Sequence, residues 1–299
     1  FLDSADLRSS VVSKAKQVGY TPSSSVSSKA TIDVVVNNAS GTSLTMTAGT
    51  KFTTTVNTES YSFVNKEDVT ITPIDGVYKF SDLDIFEGSY LNYKYTANTS
   101  DLEQRFIIPN DSVDTSTLRV KVQNSSSDST TNTYTLATGL TGLTPTSQVY
   151  FLQEVENGRY EVYFGDGVLG KAIADGNIVI FDYVTCNRGL PNGASTFTLS
   201  ENIGGFSNVT ITTKSNAADG SGPESIASIK YNAPRDYASQ DRAVTAEDYK
   251  VLVKSLYANA QAVQVYGGED AEVPAYGKVF ISIRAKSGTN LTVATKNSI

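Results

Sequence analysis

Between Thr31 and Ile211 the sequence is broken into short β-branched and aromatic runs, such as Ile32-Asp-Val-Val-Val36 and Leu91-Asn-Tyr-Lys-Tyr95, separated by clusters of Gly, Asn, Asp and Ser. Runs of this length and composition, bounded by turn formers, pack as pleated strands, so the stretch is expected to be all-β. Within it, Glu154-Val-Glu-Asn-Gly-Arg-Tyr-Glu-Val-Tyr-Phe164 sets Asn157-Gly158 between two strand-like runs. That dipeptide tolerates the positive φ angles of a type I′ turn, which predicts a hairpin. The polar stretch 124–132 has too little apolar content to pack and is expected to be a mobile loop tip or a linker.

Helical periodicity brackets this region. Leu7, Val11, Val12, Ala15 and Val18 recur at intervals of three to four, predicting an amphipathic helix over 3–18 that Gly19 and Pro22 stop. The Ser-rich run 23–28 has no periodicity and reads as a connector into the first strand. Past Ile211, Pro223-Glu224 fit the first turn of a short helix reaching about Tyr231, with Pro234 ending it. Thr245, with Asp248 three positions on, caps a second helix that carries Tyr249, Val251, Leu252 and Leu256 on one side. Alternating Val279, Ile281 and Ile283 return to strand.

At 299 residues the chain exceeds the size at which single cores usually stop growing. The expected architecture is multidomain and mainly β with α+β parts: antiparallel β domains plus a small α/β C-terminal unit. The expected division is 1–75, an N-terminal helix plus β domain; 76–202, a central β domain; and 203–299, an α+β domain truncated at its C-terminal end. A start at Phe1 rather than Met, and an end at Lys296-Asn297-Ser298-Ile299 without a closing helix, read as an excised segment.

A net charge of −7 argues against a surface that neutralises phosphates, so nucleic acid is discounted as a partner. Apolar runs such as 177–184 are strand-length, far below the roughly 20 residues a membrane helix needs, so no membrane insertion is expected. The absence of His removes Ser-His-Asp triads, His-ligated zinc and the commonest general base. Cys186, alone and without a base to activate it, reads as a small buried residue.

Gly165-Asp-Gly167-Val-Leu-Gly170 matches the dinucleotide fingerprint, but that fingerprint works only where a helix begins at its glycines and aims amides at a pyrophosphate. Here Asp175-Gly176 turns the chain within six residues and Ile178-Val-Ile-Phe181 is strand again, so the segment is expected to be a glycine-rich β-turn. In that turn Phe164, Gly165, Asp166, Gly167 and Gly170 are the structural residues, with Phe164 and Leu169 as anchors packing beneath. Asp82-Leu-Asp84-Ile-Phe-Glu87-Gly88 only superficially resembles a calcium loop, because Phe86 occupies a ligand position and the glycine is displaced. Glu161 with Asp166 or Asp182 could in principle form a glycosidase pair, although a solvated acidic face is the plainer reading. No catalytic residue, cofactor site or metal site is expected.

Three segments in order carry a recognisable pattern: Met46-Thr-Ala-Gly-Thr-Lys-Phe52 followed by Tyr61-Ser-Phe63; Tyr160-Glu-Val-Tyr-Phe-Gly-Asp-Gly-Val-Leu-Gly170 with Gly176-Asn-Ile-Val-Ile, Tyr183 and Gly189-Leu-Pro-Asn-Gly193; and Arg242-Ala-Val-Thr-Ala-Glu-Asp-Tyr249. The pattern resembles the baseplate J-like family of contractile-tail proteins. Phe86-Glu-Gly88, Phe106-Ile-Ile-Pro109, Val113-Asp-Thr-Ser-Thr-Leu118 and Val149-Tyr-Phe-Leu152 are most similar to the wedge proteins of T-even-like phages within it. The resemblance covers nearly the whole chain. It implies a non-catalytic virion protein of the tail baseplate, assembled in the bacterial host cytoplasm. Such a subunit dimerises into a ring that joins neighbouring wedges around the central hub and keeps the baseplate intact while it changes shape at infection. Its implied partners are itself and neighbouring wedge proteins. Leu7, Val11 and Val18 are a candidate interface on the first helix, against the plainer expectation that they pack in a core. The alternative function is a tail adhesin that stacks host-surface carbohydrate on an exposed cluster of aromatic rings.

Overall fold

The computed structural model describes residues 2–137, 139–140, 142–239, 242–257, 260–285, 291 and 296. Phe1 and residues 297–299, on which the reading of an excised segment partly rests, lie outside them. The first helix, α1 (Arg8–Gln17), starts later than its apolar periodicity suggests; Leu7, at its N-cap, makes no side-chain capping bond. Val18 and Gly19 close it, their N–H groups donating back to the carbonyls of Ala15 and Lys16, with Gly19 at φ +81°.

Strands follow as β1 (Lys29–Val36), β2 (Leu44–Met46), β3 (Lys51–Val56), β4 (Glu59–Val64), β5 (Val69–Ile71) and β6 (Tyr78–Glu87). Next come β7 (Ser89–Thr96), β8 (Phe106–Ile107), β9 (Val113–Gln123), β10 (Thr131–Leu136), β11 (Val149–Glu154), β12 (Tyr160–Phe164) and β13 (Ile178–Thr185). The chain continues through β14 (Thr198–Leu199), β15 (Val209–Ala218), α2 (Ile226–Ser239), α3 (Ala246–Leu256), β16 (Ala260–Gly267) and β17 (Val279–Ala285).

Most strands gather into two large sheets. The first has six, in the order β14-β3-β4-β6-β1-β15, all antiparallel. The second has seven, in the order β7-β13-β9-β10-β11-β12-β8, antiparallel except for the short parallel pairing of β10 with β11. Each has its own core. Ile32, Val34, Phe52, Phe63, Phe80 and Ile85 fill the first, and Ile108, Val120, Tyr160, Val162, Val179 and Phe181 the second. The β6 residues in this core are Tyr78, Phe80, Leu83 and Ile85, which skips a step of the strand period. A bulge at Asp82 (φ +51°) absorbs the extra residue and returns Leu83 and Ile85 to the core face.

The sheets group the chain differently from the division expected at 75/76 and 202/203. The seven-stranded sheet is continuous, running from β7 to β13, and is inserted between β6 and β14 of the six-stranded one. The first β unit is therefore assembled from strands before and after the insertion, and β6, β14 and β15 all belong to it. The polar stretch 124–132 is the tip of the β9–β10 hairpin, tied by Asn124 N–H to the Thr130 carbonyl and by Asn124 Nδ2 to Asp128 Oδ2 at 2.7 Å.

Two C-terminal helices and the β16–β17 hairpin form the small α/β unit, with α1 packed on α2 through Val11, Val12, Ala15, Ile229 and Ala233. Thr245 caps α3 in a capping box with Asp248, as the sequence predicts. The course of α2 differs from expectation. It begins at Ile226 with Ser225 Oγ accepting the Ser228 N–H, so Pro223 and Glu224 precede it, and it runs through Pro234 to Ser239. Pro234 deprives the Lys230 carbonyl of a helical donor, a local defect, but Ile229 and Ala233 are wholly buried against α1 and hold the helix across it.

Candidate functional site

The glycine-rich segment after β12 is a tight turn followed by loop, and strand resumes at Ile178. Gly167 N–H donates to the Gly170 carbonyl at 3.0 Å and Gly170 N–H to the Thr144 carbonyl at 3.1 Å, so the turn is pinned to the loop ahead of β11. Asp166 Oδ1 accepts the N–H groups of Val168 and Leu169, both at 2.9 Å. Those two donors hold the Asp166 carboxyl below its ordinary range. Gly167 and Gly170 have φ of +87° and +91°. Gly165 is required for another reason, since a Cβ there would lie 2.3 Å from the Gly170 carbonyl carbon. Phe164 anchors the turn, edge-on to Phe106 and Tyr134. Leu169, expected beneath it, is instead 40% exposed, because Asp166 draws the Val168–Leu169 backbone into the turn and leaves their side chains outside.

The carboxylates considered for hydrolysis are each engaged elsewhere, Asp166 by the Val168 and Leu169 amides of its own turn. Glu161 on β12 receives Arg105 in a bidentate pair at 2.9 and 2.8 Å and Gln153 Nε2 at 2.6 Å. Arg105 keeps its carboxyl below the ordinary glutamate range against the opposing effect of partial burial. Asp182 on β13 is paired with Lys121 at 2.9 Å and accepts Asn92 Nδ2 at 2.6 Å. Strands β9, β10 and β11 lie between β13 and β12. Asp182 and Glu161 are thus each committed to a basic partner of their own rather than to the other carboxylate. Asp82 and Asp84 lie along β6 rather than on a loop, with Asp84 bound to Thr31 and Lys29 of β1. Cys186 is buried, which pushes its thiol up to about 11.

Other polar residues clasp the units together. Asn192, in the Gly189–Gly193 motif, reads Gly220 twice: its Oδ1 accepts the Gly220 N–H and its Nδ2 donates to the Gly220 carbonyl, both at 3.0 Å. The same Oδ1 accepts Ser28 Oγ at 2.6 Å. Arg8 of α1 grips Glu154 of β11 with two bonds of 2.7 and 2.8 Å and also donates to the Glu224 carbonyl. Glu224 receives Tyr20, Ser228 and Asn232 side chains, joining the chain after α1 to α2. In the Met46–Phe52 motif, Thr50 Oγ1 donates to the Thr47 carbonyl, and Gly49 (φ +84°) leaves just enough room for the Tyr90 ring of β7. Arg8 and Glu154 escape a reading by motif, since each is polar, isolated and 146 residues from the other.

Among the interface candidates, Val11 is wholly buried in the α1–α2 cluster and Val18 packs half-buried against it, whereas Leu7 is 70% exposed. Among the described residues the exposed aromatic rings include Tyr93, Tyr163, Tyr231, Tyr237, Tyr266, Tyr276 and Phe280. Tyr163 stacks on Phe151 and Tyr266 on Phe280, each at an interplanar angle of 17°.

Comparison with known proteins follows the same outline. Residues 93–192 match the model of the third domain of the bacteriophage baseplate wedge protein gp6, which coincides with the inserted seven-stranded unit. Residues 245–299 match that of C-terminal domain I of the baseplate structural protein gp6. Over an alignment of 326 residues that takes in the whole chain, it is 27% identical to baseplate wedge protein gp6 of Enterobacteria phage T4. The chain spans about half the length of that relative, 48% of it. With two gp6 domains matched in order and the whole chain aligned, the chain belongs to the gp6-like baseplate wedge proteins.

Proposed function

We propose that the chain is a structural subunit of the baseplate wedge of a contractile phage tail, in the virion after assembly in the bacterial cytoplasm. It dimerises into a ring that joins neighbouring wedges around the hub and keeps them joined through the change of shape at infection. The observation that carries this reading is the alignment of the entire chain with a baseplate wedge protein. The site geometry agrees, since the motifs shared with contractile-tail proteins act here as turns and clasps: Asp166 braces a backbone turn, Asn192 reads Gly220, and Thr245 caps α3. Catalysis forms no part of the proposal, and Glu161 and Asp182 are each neutralised by a basic side chain. Leu7 is the residue of α1 offered for an interface. The adhesin alternative needs a cluster of flat aromatic faces turned to solvent. The two stacked pairs present much of their ring surface to each other and Arg235 covers the Tyr231 ring, which leaves Tyr237 and Tyr276 as the most exposed rings it has to draw on. Electron microscopy of lysates from a phage with a nonsense codon in this gene tests the proposal. Unassembled wedges or bare tubes are expected, and intact contractile tails that fail to adsorb would overturn it in favour of the adhesin.

A further inference from the structure

The two β units meet along a narrow joint. Strand β6 passes directly into β7 through Gly88, at φ +131°, where a Cβ would lie 1.9 Å from the Thr185 carbonyl oxygen. The Ser-rich run 23–28, the connector into β1, crosses the same joint as a strap, with Ser24, Ser25, Ser27 and Ser28 all buried. Val64, Phe86 and Val184 supply its small apolar core, with Tyr90 against them.

Two carboxylates bridge the joint in opposite directions. Glu87, at the end of β6 in the six-stranded sheet, is 0% exposed and accepts the backbone N–H and the Nδ2 of Asn187, just past β13 of the seven-stranded sheet, at 2.8 and 2.7 Å. Asp114, on β9 of the seven-stranded sheet, is 1% exposed and accepts the N–H of Ser27 on the strap at 2.8 Å, together with the N–H and Oγ of Ser116 at 2.9 and 2.6 Å. Their donors are amides and a hydroxyl. This contrasts with Asp33, Asp182, Glu154 and Glu161, where burial is offset by Lys or Arg. The titratable group between them is the Cys186 thiol, which feels both charges, and Tyr61 of β4 lines the opening beside Glu87. A polar cavity of about 280 Å³, bordered by Ser60, Ser62, Ser89 and Ser112, reaches Glu87 and gives protons a path to it.

We propose that this joint is a proton-operated hinge: with Glu87 protonated, its O–H donating to Asn187 Oδ1 once that side-chain amide turns over, and Asp114 protonated, its O–H donating to Ser116 Oγ, the two β units are locked, and ionising these buried carboxylates, which have no basic partner among the described residues, loosens the joint. Burial raises both acids above their ordinary values, and the donor bonds offset this only in part. A carboxyl whose folded pKa is raised contributes stability that is fully present below its unfolded pKa and is lost as pH rises through the folded one. The joint is thus tightest in acid and loosens above the ordinary carboxylate range. The inference stands apart from the wedge assignment, because it concerns a contact within one chain.

Hydrogen exchange tests it on the intact chain. Protection of the Ser27 and Asn187 amides, corrected for intrinsic exchange, is expected to fall between pH 4.5 and 8, by about tenfold for each unit that the fold raises the acids. Phe181, inside β13, serves as the reference and is expected to hold steady. In Glu87→Gln the Asn187 side-chain amide can flip to satisfy the new amide, so its protection is expected to match the wild type in acid and exceed it at pH 8. Protection at Ser27 and Asn187 that does not change with pH would overturn the proposal. So would a Glu87→Gln protein with the wild-type pH profile at Asn187, an outcome that distinguishes titration from a purely structural role.

Discussion

Glycines 165 and 167 are two residues apart and are needed for different reasons. Gly167 adopts φ +87°, yet a Cβ there meets only Ala172 Cβ at 3.8 Å, so its substitution costs backbone strain alone. Gly167→Val should destabilise the chain by about 1 to 3 kcal/mol. Gly165 lies outside the left-handed region, but its Cβ would press within 2.3 to 2.5 Å of backbone atoms of Gly170 and Leu169, which no side-chain rotation relieves. Gly165→Ala should therefore cost more than Gly167→Val despite the smaller side chain, and urea unfolding of the two variants reads the order. The sequence pattern exposes all three glycines of the turn without distinguishing them, because a close approach between backbones 165 and 170 is written in no single residue. Asn157-Gly158 lies at the other extreme: its φ angles of +60° and +70° are a local consequence of residue type, and the hairpin is legible at once.

At the level of single elements, legibility follows how local the determinant is. The capping box of α3 needs four consecutive residues and was readable from Thr245 and Asp248. The extent of α2 was not, because a proline inside a helix is normally a stop and only tertiary packing overrides it. Burial of Ile229 and Ala233 against α1 supplies that override. The missing donor at Pro234 then becomes a removable defect. Alanine recovers the hydrogen bond to Lys230 and is worth up to about 3 kcal/mol in a helix interior, while the more flexible unfolded chain returns about 0.4 to 1 kcal/mol of that. Pro234→Ala should raise the melting temperature, with a net gain of about 1 to 2 kcal/mol. A fall in Tm would mean that the bend at Pro234 is needed to seat α2 on α1.

The insertion of one sheet into another could not be read from the chain, since pairing of β1 with β6 and β15 depends on contacts up to about 190 residues apart that no turn signal encodes. It has a consequence for how the molecule can be divided. Residues 89–185 hold every strand of the seven-stranded sheet and nearly all of its core, so this segment should unfold cooperatively when made alone. Residues 1–75 should not, because β3 and β4 would lose β6 and β14, and β1 would lose both of its neighbours. Residues 76–202 carry the whole inserted sheet but also β6 without β1 or β4, leaving Phe80, Leu83 and Ile85 bare, so that fragment should aggregate where 89–185 stays soluble. Circular dichroism melts and sedimentation of the three fragments decide between the divisions. A sharp transition for 1–75 would mean that the first β unit closes without its returning strands, and would restore the boundary that local patterning suggests.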